Sequence, residues 1–336
     1  MERVSADVAI IGAGPAGMFA VFECGMLKMS CVLIDALDEL GGQCVALYPE
    51  KPIYDIPAHP AIEGAALIHK LEEQIAPFHC AKLLGRQVTG ISGQVGHFNL
   101  TTSAGDEVTA KAIILAAGAG AFGPNRPPLE DLSIYENSNA VRYYVKRRED
   151  LRGKRVVIAG GGDSAVDWAL ALQDVAASIA LVHRRPKFRA APESAAQLAA
   201  LTAAGKVELV TPYQLHALHG RDGVLAEVEV ADMDGGTKCL PADVLLPFFG
   251  LAMDLGPILD WGLGLDKHHV TVNQSDMQTT MPGLFAIGDI CTYPGKLKLI
   301  LQGFAEAAVA AHSIYGIVNP DKALHFEYST TKGVPG

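Results

Sequence analysis

The chain has 336 residues, 49% hydrophobic and 19% charged, enough for a large apolar core and more than one domain. Its formal net charge of −10 argues against a nucleic-acid binder or a protein that coats anionic membranes. Six scattered cysteines (Cys24, Cys31, Cys44, Cys80, Cys239 and Cys291) form no C-x-x-C pair, so the chain offers neither a dithiol redox motif nor zinc-knuckle spacing.

Val8 to Ile11 is a short apolar run, which suits a strand buried on both faces of a parallel sheet. Gly12, Gly14 and Gly17 follow in G-x-G-x-x-G spacing. The first allows a tight turn, the second lets a diphosphate approach the backbone, and the third lets a helix pack close to the strand. That helix, from about Pro15 to Gly25, would aim its N-terminal N–H groups at the diphosphate. A second strand, Ser30 to Ile34, ends at Asp35, 23 residues after Gly12, where a carboxylate would accept ribose hydroxyls. No stretch ahead of the first strand would serve as a targeting segment. The longest uncharged apolar stretch, Val8 to Phe22, contains Pro15 and is shorter than the ~20 residues a bilayer needs. The expectation is a cytoplasmic protein.

Glu39 to Pro57 is dense in Gly and Pro and is predicted as a long functional loop. Gln43 and Tyr48 lie just beyond the ribose site. The Tyr48 ring either lies on a flat heterocycle or packs in the core, and the stretch itself does not decide. Gly64 to Ile75 has helical apolar spacing. Val88 to Ser92 and Gly96 to Thr102 read as a small antiparallel layer, Lys111 to Gly120 as a buried strand ending in glycines, and Pro124 to Pro128 as a crossing between domains.

The opening design then repeats. Arg155 to Ala159 is a buried strand, Gly160, Gly162 and Ala165 give G-x-G-x-x-A, and a helix runs to about Gln173. The next strand, Ser178 to Val182, runs into His183-Arg-Arg-Pro-Lys-Phe-Arg189. His183 lies 23 residues after Gly160, where the first unit has its carboxylate. Arg184, Arg185 and Arg189 there would clamp a 2′-phosphate and point to NADP. Val207 to Val210 and Val224 to Val230 add short strands, and Ala242 to Gly250 leaves the second domain. Met281 to Ile290 holds a strand into Gly288-Asp289, which brings a carboxylate within reach of a polyol hydroxyl. Leu297 to Tyr315 is the last long helix.

Gly12-x-Gly14-x-x-Gly17, Gly41-Gly-Gln43, Gly160-Gly-Gly-Asp-Ser-Ala165, His183-Arg-Arg185 and Gly288-Asp289 together resemble the low-molecular-weight thioredoxin reductases and their relatives over essentially the whole chain. The resemblance implies an α/β fold: two Rossmann-like dinucleotide-binding domains of the thioredoxin reductase type, small antiparallel layers and a C-terminal tail. It implies an FAD domain in residues 1–120 and 248–320, an NADP domain in 121–247, and a tail over the flavin in 321–336. Thioredoxin reductases carry a C-x-x-C pair shortly before the second glycine turn, whereas Asn139 to Arg148 here contains no cysteine. In this respect, and in Leu47 to Lys51, Ile53 to Ile56 and the tail, the chain is similar to the thioredoxin-reductase-like ferredoxin–NADP reductases.

For that family the resemblance implies a homodimeric flavoenzyme moving electrons between NADPH and ferredoxin. Tyr48 would stack on one flavin face, Tyr328 on the other, with Ser329 and Thr330 by the reactive edge. Further FAD contacts carry over to Asp35, Gln43, Val88, Phe122 and Asp289, and NADP contacts to Gly160, Gly162, Ser164, His183, Arg184, Arg185 and Arg189. Two basic patches are candidates for docking an acidic ferredoxin, Lys146-Arg147-Arg148 and Lys296 with Lys298, though each also suits a solvated charged face. The competing readings are an NADPH-dependent flavin reductase of a quinone or other small acceptor, and a flavin-binding module without turnover.

Overall fold

In this computed structural model residues 1–324 and 333 are described, apart from the side chains of residues 121–122 and 251–253. The apolar run Val8–Ile11 is buried and forms the inner half of β1 (Arg3–Ile11). Beside it stands β2 (Cys31–Ile34), buried along its whole length, followed by β3 (Cys80–Leu83), β4 (Val88–Gln94), β5 (His97–Thr102) and β6 (Glu107–Leu115). With a return strand, Leu284–Ala286, they build a seven-stranded sheet ordered β3–β2–β1–β6–β5–β4. The strands β3, β2, β1 and β6 and the return strand run parallel, while β4, β5 and β6 form an antiparallel meander. Strand β6 changes partner along its length: Glu107 to Ala110 pair with β5, and Ile113 to Leu115 pair with the return strand.

The helices follow from local signals. Helix α1 (Pro15–Met26) starts with proline at its first position, where the missing N–H costs nothing. A single-turn helix, α2 (Gln43–Ala46), interrupts the predicted loop. Helix α3 (Gly64–Ile75) buries Leu67, Ile68, Leu71 and Ile75 as one stripe, as its spacing predicts. The predicted strand through Gly120 stops at Leu115, because Gly118 and Gly120 take positive φ (58° and 72°). The C-terminal helix runs over Ile300–Val318, later than predicted, because Leu299 is extended.

The chain divides into two units: Met1–Phe122 with the chain from Met253 onward, and Gly123–Ala252. In the second unit β7 (Arg155–Ala159), β8 (Ser178–Val182) and β9 (Glu208–Val210) run parallel. An antiparallel sheet follows, β10 (Gln214–Arg221), β11 (Val224–Ala231) and β12 (Thr237–Pro241). Strand β13 (Val244–Pro247) then completes the parallel sheet, ordered β9–β8–β7–β13. Its helices are α4 (Leu132–Asn137), α5 (Asp163–Leu172) and α6 (Pro192–Ala203). Both units are thus α/β with parallel strands at their centre and antiparallel strands beside them, as expected. Among the described residues no helix is long and apolar enough to cross a membrane.

One polar cluster ties the first unit's meander. Asp106, 1% exposed at its side chain, accepts the Glu2 N–H at 2.7 Å, the Thr102 hydroxyl at 2.8 Å and Arg86 Nε at 3.0 Å. The backbone bond from Glu2, then the Thr102 hydroxyl, hold its carboxyl below the usual range. A carboxylate whose folded pKa is depressed adds stability above its unfolded pKa and loses it as pH falls. Asp106→Asn should therefore lower the melting temperature by a few degrees at pH 7, and the gap to wild type should shrink below about pH 4. Thermal melts at the two pH values check this.

Candidate dinucleotide sites

The first site grows from the turn between β1 and α1, where three glycines meet three different constraints. A Cβ on Gly12 (φ +110°) would lie 2.3 Å from the Ala116 carbonyl oxygen, because the turn runs close against the chain leaving β6. A Cβ on Gly17 would lie 1.9 Å from the Gly12 oxygen, so the helix can approach the strand only without a side chain there. A Cβ on Gly14 would have nothing within 4 Å. Gly14 therefore borders open space at the N-terminus of α1, where an anion is favoured.

Four further pieces gather at this carboxyl edge of the parallel strands. Asp35, just after β2, accepts the Ala13 N–H on Oδ2 at 2.5 Å and the Leu37 N–H on Oδ1 at 2.8 Å. Burial pushes its carboxyl up, against the pull of those backbone bonds. Gly41 donates to the Ala13 oxygen at 2.9 Å, and a Cβ on Gly42 would lie 3.2 Å from Gly14 Cα. Gln43 opens α2, and its Nε2 lies 3.7 Å from where a Cβ on Gly118 would be. The return strand ends in a turn at Gly288 (φ +73°), where a Cβ would lie 3.4 Å from Ala16 Cβ at the start of α1. Asp289 follows, half-buried and without a side-chain hydrogen bond or ion pair among the described residues.

Tyr48 lies just past α2, half-buried, its hydroxyl 3.6 Å from Cys44 Sγ and its ring centroid 5.9 Å from Lys51 Nζ. Burial pushes up both the Tyr48 hydroxyl and the Cys44 thiol, the latter to about 11, and the nearby Asp289 charge adds to both. Val88 opens β4 with its side chain in the core, so only its backbone is available to a ligand. Tyr328, Ser329, Thr330 and the side chain of Phe122 lie outside the described residues.

The second site repeats the plan with opposite charge. A Cβ on Gly160 would meet the Phe248 oxygen at 2.7 Å, while one on Gly162 would have nothing within 4 Å. Ser164 is exposed on the first turn of α5. The loop after β8 folds back onto this turn: Arg189 N–H donates to the Gly161 oxygen at 2.7 Å, and the His183 ring lies 2.1 Å from where a Cβ on Gly161 would stand. Arg184, Arg185 and Arg189 are exposed, and among the described residues none has a carboxylate partner. Burial and then the Arg184 charge push the His183 pKa down, so at neutral pH the guanidinium groups carry the positive charge. Three cations without a carboxylate partner among the described residues, in a loop folded onto an open glycine turn, are an arrangement suited to an anion.

The basic patches separate. Lys146 and Arg147 are exposed on the second unit, Arg147 3.9 Å from Asp150, and Arg148 is half-buried. Lys298 is exposed, its Nζ 2.8 Å from His269 Nε2. Lys296 is not available for docking: its side chain is 5% exposed and its ammonium pairs with buried Glu306. A lysine in a Pro-Gly loop reads as solvated in sequence, and only the fold reveals the carboxylate beneath it. On the exposed face of the β10–β12 sheet, donor atoms of His219, Glu229 and Cys239 lie within 4.8 Å of one another, with His219 Nε2 2.6 Å from Glu229 Oε2.

Residues 6–313 match the pyridine nucleotide-disulphide oxidoreductase family. The chain is 73% identical over 335 residues to a ferredoxin–NADP reductase of Acidiphilium cryptum, covering 100% of this chain and 99% of that one. It is 57% identical over 334 residues to one of Rhodospirillum rubrum, covering 98% and 96%. In structure it is similar to the thioredoxin reductase of Lactococcus lactis, with a TM-score of 0.81 at 25% identity over 94% of this chain and 99% of that one.

The two kinds of glycine make different variants. Gly14→Ala fills open space, so it should melt like wild type yet lose dinucleotide binding by tenfold or more, on the order of one lost charge-assisted bond. Gly17→Ala collides with backbone and should lose both stability and binding. Melting curves and ligand titrations of the two variants check the distinction.

Proposed function

The chain belongs to the pyridine nucleotide-disulphide oxidoreductase family, and within it we propose that the protein is an FAD-dependent ferredoxin–NADP reductase. The observation that carries the NADP half is the loop 183–189, which folds back onto Gly161–Gly162 at Arg189 and carries three exposed arginines with no carboxylate partner among the described residues. The FAD half is supported by the open space at Gly14, Asp35 at its rim, and Asp289 after the Gly288 turn, which makes no side-chain hydrogen bond or ion pair among the described residues. These residues fit the group: a cradle that a side chain would fill, and carboxylates for ribose and polyol hydroxyls. A one-electron protein acceptor is supported by the full-length relatives and by the absence of cysteine from Asn139 to Arg148.

FAD, when bound, accepts two electrons from NADPH together and passes them on singly, which an iron–sulfur protein requires. The chain's own work is to bind and orient. Gly12, Gly14 and Gly17 with the α1 terminus hold a diphosphate, Asp35 a ribose, and Gln43 and Asp289 the stretch toward the reactive ring. Tyr48 supplies an aromatic face whose hydroxyl is kept protonated by burial. Tyr328 on the opposite face, with Ser329 and Thr330 at the ring edge, Val88 and Phe122 as further contacts, and Ser164 at the pyridine nucleotide, rest on the family resemblance. Gly160 and Gly162 let the NADP diphosphate approach, and Arg184, Arg185 and Arg189 hold the 2′-phosphate beside an uncharged His183. Lys146, Arg147 and Arg148 on the second unit, and separately Lys298 on the first, are the candidates for docking an acidic ferredoxin. A homodimer is inferred from the same resemblance. Six free cysteines suit a reducing compartment, in keeping with the cytoplasm.

The test is anaerobic reduction of the purified protein by NADPH, followed by titration with oxidised ferredoxin. Bleaching of the flavin band and its return in step with ferredoxin reduction is the expected result. Bleaching that only a quinone reverses would move the function to the small-acceptor reading. Separately, Arg184→Ala with Arg185→Ala should raise KM for NADPH roughly ten- to hundred-fold and leave that for NADH nearly unchanged. Steady-state kinetics with both coenzymes measure this.

A further inference from the structure

Behind the Gly288–Asp289 turn lies a polar cluster to which the binding roles above assign no task. Glu306, on the C-terminal helix, is 2% exposed. Its Oε2 accepts the Gly288 N–H at 2.7 Å, and its Oε1 accepts the Tyr293 hydroxyl at 2.5 Å and the Lys296 ammonium. Gln302 Nε2 donates to the Tyr293 hydroxyl oxygen at 2.8 Å, and Cys291 Sγ donates to the Gly288 oxygen at 3.3 Å. A buried carboxylate persists only when opposite charge and hydrogen bonds replace its water, and here both oxygens are bonded. The next carboxylate along, Asp289, has no such partner among the described residues.

One carboxylate is locked from behind through the Gly288 N–H, while the carboxylate of the next residue makes no hydrogen bond among the described residues. We propose that Glu306, held by Lys296 and Tyr293, is a positioning residue for FAD. By accepting the Gly288 N–H it fixes the turn that presents Asp289 beside α1 to a polyol hydroxyl. Lys296 keeps the buried charge of Glu306 from opposing that of Asp289. The proposal rests on the FAD reading above. It gives Lys296 and Glu306 a task that neither surface docking nor packing describes.

A double-mutant cycle on FAD affinity tests it, read from recovery of FAD fluorescence as purified holoprotein is diluted. Asp289→Ala and Glu306→Gln should each weaken binding roughly ten- to hundred-fold, the size of one lost charge-assisted hydrogen bond. Because Glu306 acts through Asp289, the double variant should bind within about twofold of Asp289→Ala alone. Wild-type affinity in Glu306→Gln, or losses that multiply in the double variant, would overturn the proposal. If Glu306→Gln does not fold, Tyr293→Phe takes its place in the cycle, since it removes one bond to the same carboxylate and keeps the ion pair. It should give a smaller loss with the same non-additivity. Wild-type protein that holds no FAD would overturn the FAD reading itself, whereas a loss in Asp289→Ala without one in Glu306→Gln overturns only the positioning role.

Discussion

The close passage of main chain over main chain at Gly12 and Gly17 is the constraint on which the first unit depends. A side chain at Gly17 would hold α1 off β1, and one at Gly12 would run into the chain leaving β6. Everything else at the carboxyl edge is referred to that crossing. Ala13 sits inside it and ties Asp35 on one side and Gly41 on the other, while Ala16 receives the Gly288 turn. The site is built from backbone held at fixed distance, which costs no side-chain entropy when a ligand arrives.

The two units use one scaffold and opposite electrostatics. Each has a tight glycine against neighbouring backbone and a second glycine facing open space. At the end of the next strand the first unit has Asp35, satisfied by two backbone donors, and the second has arginines without carboxylate partners among the described residues. In the proposed function, a carboxylate suited to hydroxyls and guanidinium groups suited to an anion divide two related dinucleotides between them. The net charge of −10 therefore conceals a local basic site.

What was legible in the sequence is what local spacing encodes. The glycine turns, Asp35 and His183 to Arg189 stand at fixed intervals because strand, turn and helix have fixed lengths, and α3 follows its stripe to the residue. Helix α6 escaped notice because it buries a single side chain, Leu198, and so carries no stripe to read. The polar cluster behind Gly288 escaped for another reason. Glu306 in an alanine-rich helix, and Lys296 after Pro294 and Gly295, are ordinary surface residues until the helix is laid against the turn. Burial of a polar pair is a property of tertiary packing, which no interval along the chain expresses.

The change of partner along β6 bears on how the chain is made. Ile113 to Leu115 pair with Leu284 to Ala286, and Leu115 and Leu284 are 169 residues apart. At roughly 5–20 residues per second on the ribosome, that edge waits on the order of ten to thirty seconds for its neighbour. During that interval the whole second unit is synthesised, and its parallel sheet can close from its own strands. An apolar strand edge left open for so long is a template for misplaced pairing. The first unit's sheet is therefore completed only after the second unit has been made, and Ile113 to Leu115 is the edge that stays open meanwhile.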